Sequence, residues 1–192
     1  GYIDDCSLTL NTRHRYSHES RRREANSSAH TSQRRRAVRD VTALLELAKT
    51  SVHEIRTDIG GFALDRGSFA DKAQDVSANA RLTNISGLPG SGKSAVLRQL
   101  VERAIARGPT LFLKSDRIGT TSWRAFATNL GLEHRTPQDL LAEIGAAGTA
   151  ILFIDGIDRI KPAQRQVIID LFHSIETTPS LAHWKVIATS RN

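Results

Sequence analysis

Ten residues constrain this chain more than any others: Ile85-Ser86-Gly87-Leu88-Pro89-Gly90-Ser91-Gly92-Lys93-Ser94. They set glycine, lysine and a hydroxyl residue in the spacing G-x-x-x-x-G-K-[ST], which a chain this long would contain by accident roughly one time in a hundred. The flanks are the ones the spacing needs. Arg81 to Ser86 reads as a short strand, and Ala95 to Ala106 carries Val96, Leu97, Leu100, Val101, Ala104 and Ile105 at the steps of one helix face. Strand, glycine loop and helix therefore come in the order that aims backbone N–H groups, at the positive end of a helix dipole, at a polyphosphate. The expected grip is the segment Gly87, Leu88, Pro89, Gly90, Ser91, Gly92, Lys93, Ser94 and Ala95. Lys93 adds a cation between the outer phosphates, and the Ser94 hydroxyl is placed to ligate Mg²⁺.

A second stretch supplies the acid that such a loop needs. Ala150-Ile151-Leu152-Phe153-Ile154-Asp155 is a continuous apolar run ending in a carboxylate, the pattern of a strand buried on both faces of a parallel sheet. Asp155 then emerges at the carboxyl end of that strand, where open α/β sheets bind ligands. Lying about sixty residues after the glycine loop, it is expected to hold the Mg²⁺ shell opposite Ser94.

The rest of the chain divides by composition. Residues 1 to 36 hold eight Arg against four acids, and the remaining nineteen bases against sixteen acids leave the other part only mildly basic. Residues 1–36 read as a disordered basic linker, with His14, His18 and His30 solvated; contact of this tail with nucleic acid is left open. The lone Cys6 cannot close an intramolecular disulfide, no run approaches the roughly 18 apolar residues of a membrane span, and no signal-peptide pattern is visible. A cytoplasmic location is expected. The chain has no Met and reads as a piece of something longer.

Residues 37–60 predict one long amphipathic helix, with Val38, Val41, Leu44, Leu45, Ala48, Val52, Ile55 and Ile59 at helical steps and Gly60-Gly61 as its stop. Residues 61–192 predict the α/β domain proper. In it Ser68 and Asp71 look like a cap opening a helix over Phe69 to Asn79, and Thr110 to Lys114 reads as a second strand. Trp123, Phe126, Ala127 and Leu130 make one helix face, and Thr136-Pro137 opens another helix. Val167, Ile168, Leu171, Phe172 and Ile175 make a third, and Trp184 to Thr189 reads as an alternating strand with Ser190-Arg191 at its tip.

Gly87 to Ser94, then Ile154-Asp155-Gly156-Ile157-Asp158, then Ile187-Ala188-Thr189-Ser190-Arg191 together resemble the STAND class of P-loop NTPases, which includes the NACHT and NB-ARC signalling ATPases. The resemblance covers roughly residues 59 to 192. It implies a three-layer αβα sheet of mainly parallel strands, with the strand before the glycine loop beside the Arg191 strand and the Asp155 strand next outward. A fifth strand and a helical lid are expected beyond Asn192. It also implies ATP or ADP with Mg²⁺, Asp155 on the metal, Asp158 orienting the attacking water, Arg191 reading the γ-phosphate, and Asp65-Arg66 near the adenine. The class has Glu where this chain has Arg159, so turnover is expected to be slow.

The implied function is a nucleotide-dependent conformational switch that gates self-association and an attached effector in a signalling or defence protein. Three other readings stay open: an AAA+ ATPase acting on DNA, a small-molecule kinase, and a nucleotide-binding module that hardly turns over. Adenine is preferred over guanine because no [NT]-K-x-D sequence occurs late in the chain; Leu113-Lys114-Ser115-Asp116 has the wrong first residue and precedes Asp155.

Overall fold

The computed structural model describes residues 35–59, 62–63, 65–133 and 136–191. Expectations for residues 1–34, for Cys6, His14, His18 and His30 among them, and for Gly60 and Gly61, lie outside the described residues. Two compact units divide between Val38 and Arg39. Of the first, only residues 35–38 are described, and they are helical. The second carries every strand among the described residues.

Helix α1 (residues 35–53) stops six residues before Ile59, where the pattern of Ile55 and Ile59 had extended it. Short bonds from Glu54 N to Thr50 O and from Ile55 N to Val52 O, 3.3 and 3.1 Å, close its last turn. Strand β1 (Asp58–Ile59) then pairs antiparallel with β2 (Phe62–Ala63), Ile59 opposite Phe62. Ile55-Arg56-Thr57-Asp58-Ile59 alternates and is rich in β-branched side chains, so a period of two wins over 3.6 at this point.

Helix α2 (Gly67–Asn79) begins two residues before Phe69, and its cap is not the expected Ser68. Asp65 Oδ1 accepts from Gly67 N at 2.8 Å instead, and Asp71 reaches across to Arg103 at 2.8 Å. An Asp two residues ahead of a free N–H satisfies it locally, so the later Ser is not needed.

Strand β3 (Leu82–Gly87) runs into the glycine loop and helix α3 (Lys93–Ile105). Strand β4 (Leu111–Lys114), helix α4 (Trp123–Asn129) and helix α5 (Pro137–Ala147) come next, with Ser122 and Thr136 capping the two helices through Ala125 N and Asp139 N. Strand β5 (Ile151–Asp155), helix α6 (Arg165–Thr177) and strand β6 (Lys185–Arg191) complete the unit. The sheet order is β3-β6-β5-β4 and every pairing in it is parallel. The strand before the glycine loop thus lies beside the Arg191 strand, and the Asp155 strand is next outward, the order that the resemblance implied. β6 does not alternate as anticipated: Val186 to Thr189 are all buried, because a central strand is covered on both faces.

Strand parity divides the core. Leu111, Leu113, Leu152, Ile154, Val186 and Ala188 meet Trp123, Phe126, Leu140, Leu141, Ile144, Leu171 and Ile175, so α4, α5 and α6 cover one face. Phe112, Phe153 and Ile187 face the other way, onto Ala70 of α2 and Val96, Leu97, Leu100, Val101 and Ala104 of α3. The chain is therefore an α/β protein with a four-stranded parallel sheet flanked by helices. Among the described residues no helix is long and apolar enough to cross a membrane.

Helix α1 feeds both clusters, Leu44 the first and Ala48 and Val52 the second. An element that reaches both faces has to pass an edge, and Glu54, which pairs with Lys114 at the end of β4, identifies which one. Arg117 also pairs with Glu54. Hydrogen bonds from Arg117 and then Lys114 hold the Glu54 carboxyl below its usual range. Burial alone would lower the Lys114 ammonium, but the Asp116 and Glu54 carboxylates outweigh it and hold it above its ordinary value. Glu54 therefore stabilises the fold above the unfolded carboxylate range, and that contribution is lost as pH falls through its lowered folded value. Leu44 is only 2% exposed, so Leu44→Ala is expected to cost roughly 2–5 kcal/mol in urea unfolding. A helix merely tethered beside the sheet would lose less than about 0.5 kcal/mol.

Candidate functional site

The parallel register brings the chemistry to one edge. Gly87 stands opposite Arg191 across β3 and β6, and Lys114 opposite Asp155 across β4 and β5, so the carboxyl ends of all four strands finish together. The glycine loop leaves β3 there, with Gly90 at φ 78° and Gly92 at φ 86°, a left-handed backbone that other residues rarely adopt. Gly92 has a second reason to lack a side chain. A Cβ on it would lie 3.2 Å from Arg66 Nε and 3.3 Å from Arg66 Nη2. No side chain caps α3 after Gly92, which leaves its first N–H groups free for a ligand.

Lys93 folds back over the loop. Its Nζ donates to the carbonyl oxygens of Gly87 and Leu88, both at 2.7 Å, and reaches Ser91 Oγ at 3.5 Å. Ser94 and Asp155, 61 residues apart in sequence, meet directly: Ser94 Oγ donates to Asp155 Oδ1 at 2.8 Å. The carboxylate is 2% exposed. Its Oδ1 accepts a second bond, from Thr189 Oγ1 at 2.7 Å, and that same hydroxyl accepts from Gly156 N at 2.7 Å. Asp155 Oδ2 is 3.4 Å from Arg159 Nη2. Asp158 pairs with Arg191, Oδ2 to Nε 3.4 Å.

In front of this cluster lies an open cavity of about 450 Å³. Lys93, Ser94, Asp158 and Arg191 line it together with Pro89, Gly90, Gly92 and Ala95, so most of the residues singled out from the sequence converge on one space. Gly87 ends β3 behind the loop, and the Leu88 side chain is exposed beside it. Arg66 is not part of the wall. Its guanidinium lies against Gly92 and 5.8 Å from the centroid of the Phe69 ring, with Nε buried and unpartnered among the described residues.

Of the other wall residues, Gly156, Thr189 and Ser190 fall within the quoted motifs without an assigned role, Arg159 stands where the class has Glu, and Arg56 lies outside the sequence pattern. Thr189 has a readable signal, being a hydroxyl two residues before Arg191 on a strand that lies next to the Asp155 strand. Arg56 has none, since its place depends on α1 ending early. Arg56, Lys93, Arg159 and Arg191 set four cations around the cavity against the single wall carboxylate of Asp158. Such a space suits a polyanion.

Among the described residues no group of three or more His, Cys, Asp and Glu is placed to hold a metal ion. The oxygens of Ser94 and Asp155 do stand side by side at the loop, a hard donor pair of the kind Mg²⁺ uses when phosphate and water supply its remaining ligands. The donor chemistry present therefore fits that ion. Comparison of the chain with models of protein families and with curated proteins gives no match in either.

Thr189→Val keeps the shape of the side chain but removes one donor from Asp155 and the acceptor of Gly156 N. It is expected to cost about 1–3 kcal/mol in urea unfolding, because Gly156 N is left without its acceptor in a buried position and the buried Asp155 carboxylate loses one of its donors. A loss within about 0.5 kcal/mol would mean that water replaces the hydroxyl.

Proposed function

We propose that this chain is an ATP-binding P-loop domain that hydrolyses ATP slowly and works as a nucleotide-dependent switch of the STAND kind. The observation that carries the reading is the 2.8 Å contact between Ser94 and Asp155 at the open end of α3. These are the two groups that the sequence pattern expects to share one ion.

In this reading the free N–H groups of the loop and of the first turn of α3 take the phosphates. Lys93 exchanges the carbonyl oxygens of Gly87 and Leu88 for phosphate oxygens. Ser94 and Asp155 hold Mg²⁺, which supplies neutralising charge to the phosphates when bound. Arg191 turns from Asp158 to the γ-phosphate, and Asp158, relieved of its cation, orients the attacking water. One event thus senses the outermost phosphate and frees the base. Arg66 extends the positive surface behind Gly92, and the adenine is placed near the Asp65–Arg66 segment. Self-association and effector gating in a longer protein follow from the STAND resemblance, and the lone Cys6 suits a cytoplasmic setting.

A nucleotide-binding module with little turnover is the second reading. It is favoured by Arg159, which pairs with the metal-site carboxylate where the STAND class has an acid.

Thermal unfolding with Mg²⁺ and ATP, ADP or GTP tests the binding step. A nucleotide at a hundred times its dissociation constant adds about 2.7 kcal/mol, which for a chain of this size raises the midpoint by roughly 5–11 °C. The rise is expected with adenine nucleotides and absent in Lys93→Ala. No rise with any nucleotide sinks the proposal. For turnover, Asp158→Asn is expected to keep the thermal shift and to lower phosphate release roughly a hundredfold; unchanged release removes Asp158 from the mechanism.

A further inference from the structure

Arg159 stands where the STAND pattern has Glu, and its side chain does not point idly into solvent. The turn Ile157–Arg159 starts from Gly156 at φ 71°, with Arg159 N donating to Gly156 O at 2.9 Å. That tight turn brings residue 159 back over residue 155. The guanidinium lies so close across Gly156 that a Cβ there would collide with Arg159 Nε, Nη2 and Cζ. Glycine therefore serves two needs at once, the left-handed backbone and the clearance for the arginine.

The result is an ion pair of unequal partners. Asp155 is 2% exposed and Arg159 is 43% exposed. A pair between two solvated groups would do little. Here the carboxylate is buried, and Arg159 is the cation the structure places within salt-bridge distance of it. The two hydroxyls of Ser94 and Thr189 share the other oxygen and bring no charge. Asp158, the neighbour of Arg159 in sequence, is paired with Arg191.

We infer that Arg159 is a built-in counter-cation for Asp155 that competes with divalent metal for the carboxylate. It neutralises Asp155 while no metal is bound and has to leave before Asp155 can serve one. Because Arg159 also lines the cavity, its released charge stays beside the phosphates. The protein then binds nucleotide with little dependence on Mg²⁺ and holds the metal weakly. This inference rests on the nucleotide-binding reading above and assigns a residue to its regulation by metal.

The test is a titration of Mn²⁺ into the ADP-saturated chain, followed by the paramagnetic resonance signal of free Mn²⁺, for the wild type, Arg159→Gln and Arg159→Lys. ADP affinity is measured alongside by calorimetry, with Mg²⁺ and with chelator. Arg159→Gln is expected to bind Mn²⁺ about tenfold more tightly than the wild type, since removing a competing charge lets the metal meet a free carboxylate. The same variant is expected to lose several-fold in ADP affinity under chelator and to regain it with Mg²⁺. Arg159→Lys keeps a cation and is expected to lie nearer the wild type in both measurements. Equal Mn²⁺ affinity in wild type and Arg159→Gln, with ADP bound to both, overturns the counter-cation role and leaves nucleotide binding standing. Absence of ADP binding in the wild type overturns both.

Discussion

Asp155 is a carboxylate buried to 2% exposure at the end of the apolar strand β5, and much of the site is arranged around making it tolerable there. A buried anion survives only if it is hydrogen-bonded and paired. The bonds come from three directions: Ser94 at the start of α3, Thr189 near the end of β6, and Arg159 from the turn after β5. One side chain therefore ties the glycine loop, the central strand and the turn to each other. Remove the charge and the reasons for Thr189, Gly156 and Arg159 to sit as they do disappear together.

The charges around the cavity are matched internally in the same spirit. Lys93 rests on the carbonyls of its own loop, Arg191 on Asp158 and Arg159 on Asp155. A phosphate-bearing ligand arriving at this edge would find a net positive wall, with three of its four cations already engaged by internal partners that it would have to displace. Each exchange trades one charge-assisted contact for another, so the net gain per contact is modest and selectivity comes from how many exchanges a ligand can complete. A ligand with a longer phosphate chain can complete more of them.

How legible this is in the sequence depends on the length over which each signal extends. The glycine loop with its flanks, the apolar run ending in Asp155 and the capped helix at Thr136-Pro137 are readable, because each is a local pattern with one physical solution. The order of the strands also comes out as anticipated. Helix α1 is shorter than its pattern suggests because Ile55 and Ile59 fit two periods equally well over so short a span. Ser68 looks like a cap in sequence, but the competing Asp65 bond is equally local and wins. The pairing of the charges is out of reach: Asp158 and Arg159 are neighbours in sequence, yet Asp158 meets Arg191 and Arg159 meets Asp155. Which acid takes which base is decided by the turn at Gly156, and a left-handed glycine is invisible in a one-dimensional pattern.

The alternation of strand residues between two clusters has a consequence for how the molecule comes apart. Leu152 and Ile154 belong to one cluster and Phe153, between them, to the other. The backbone of β5 is thus a partition wall common to both interiors, and neither interior can open without baring that wall. Helix α1, with Leu44 in one interior and Ala48 in the other, clamps them further. Loosening is then confined to the rim where the loops sit, while amides along Leu152 to Ile154 and Val186 to Ala188 exchange with solvent only when the whole unit unfolds. The edge that holds the cavity is carried on a body built to open as one piece.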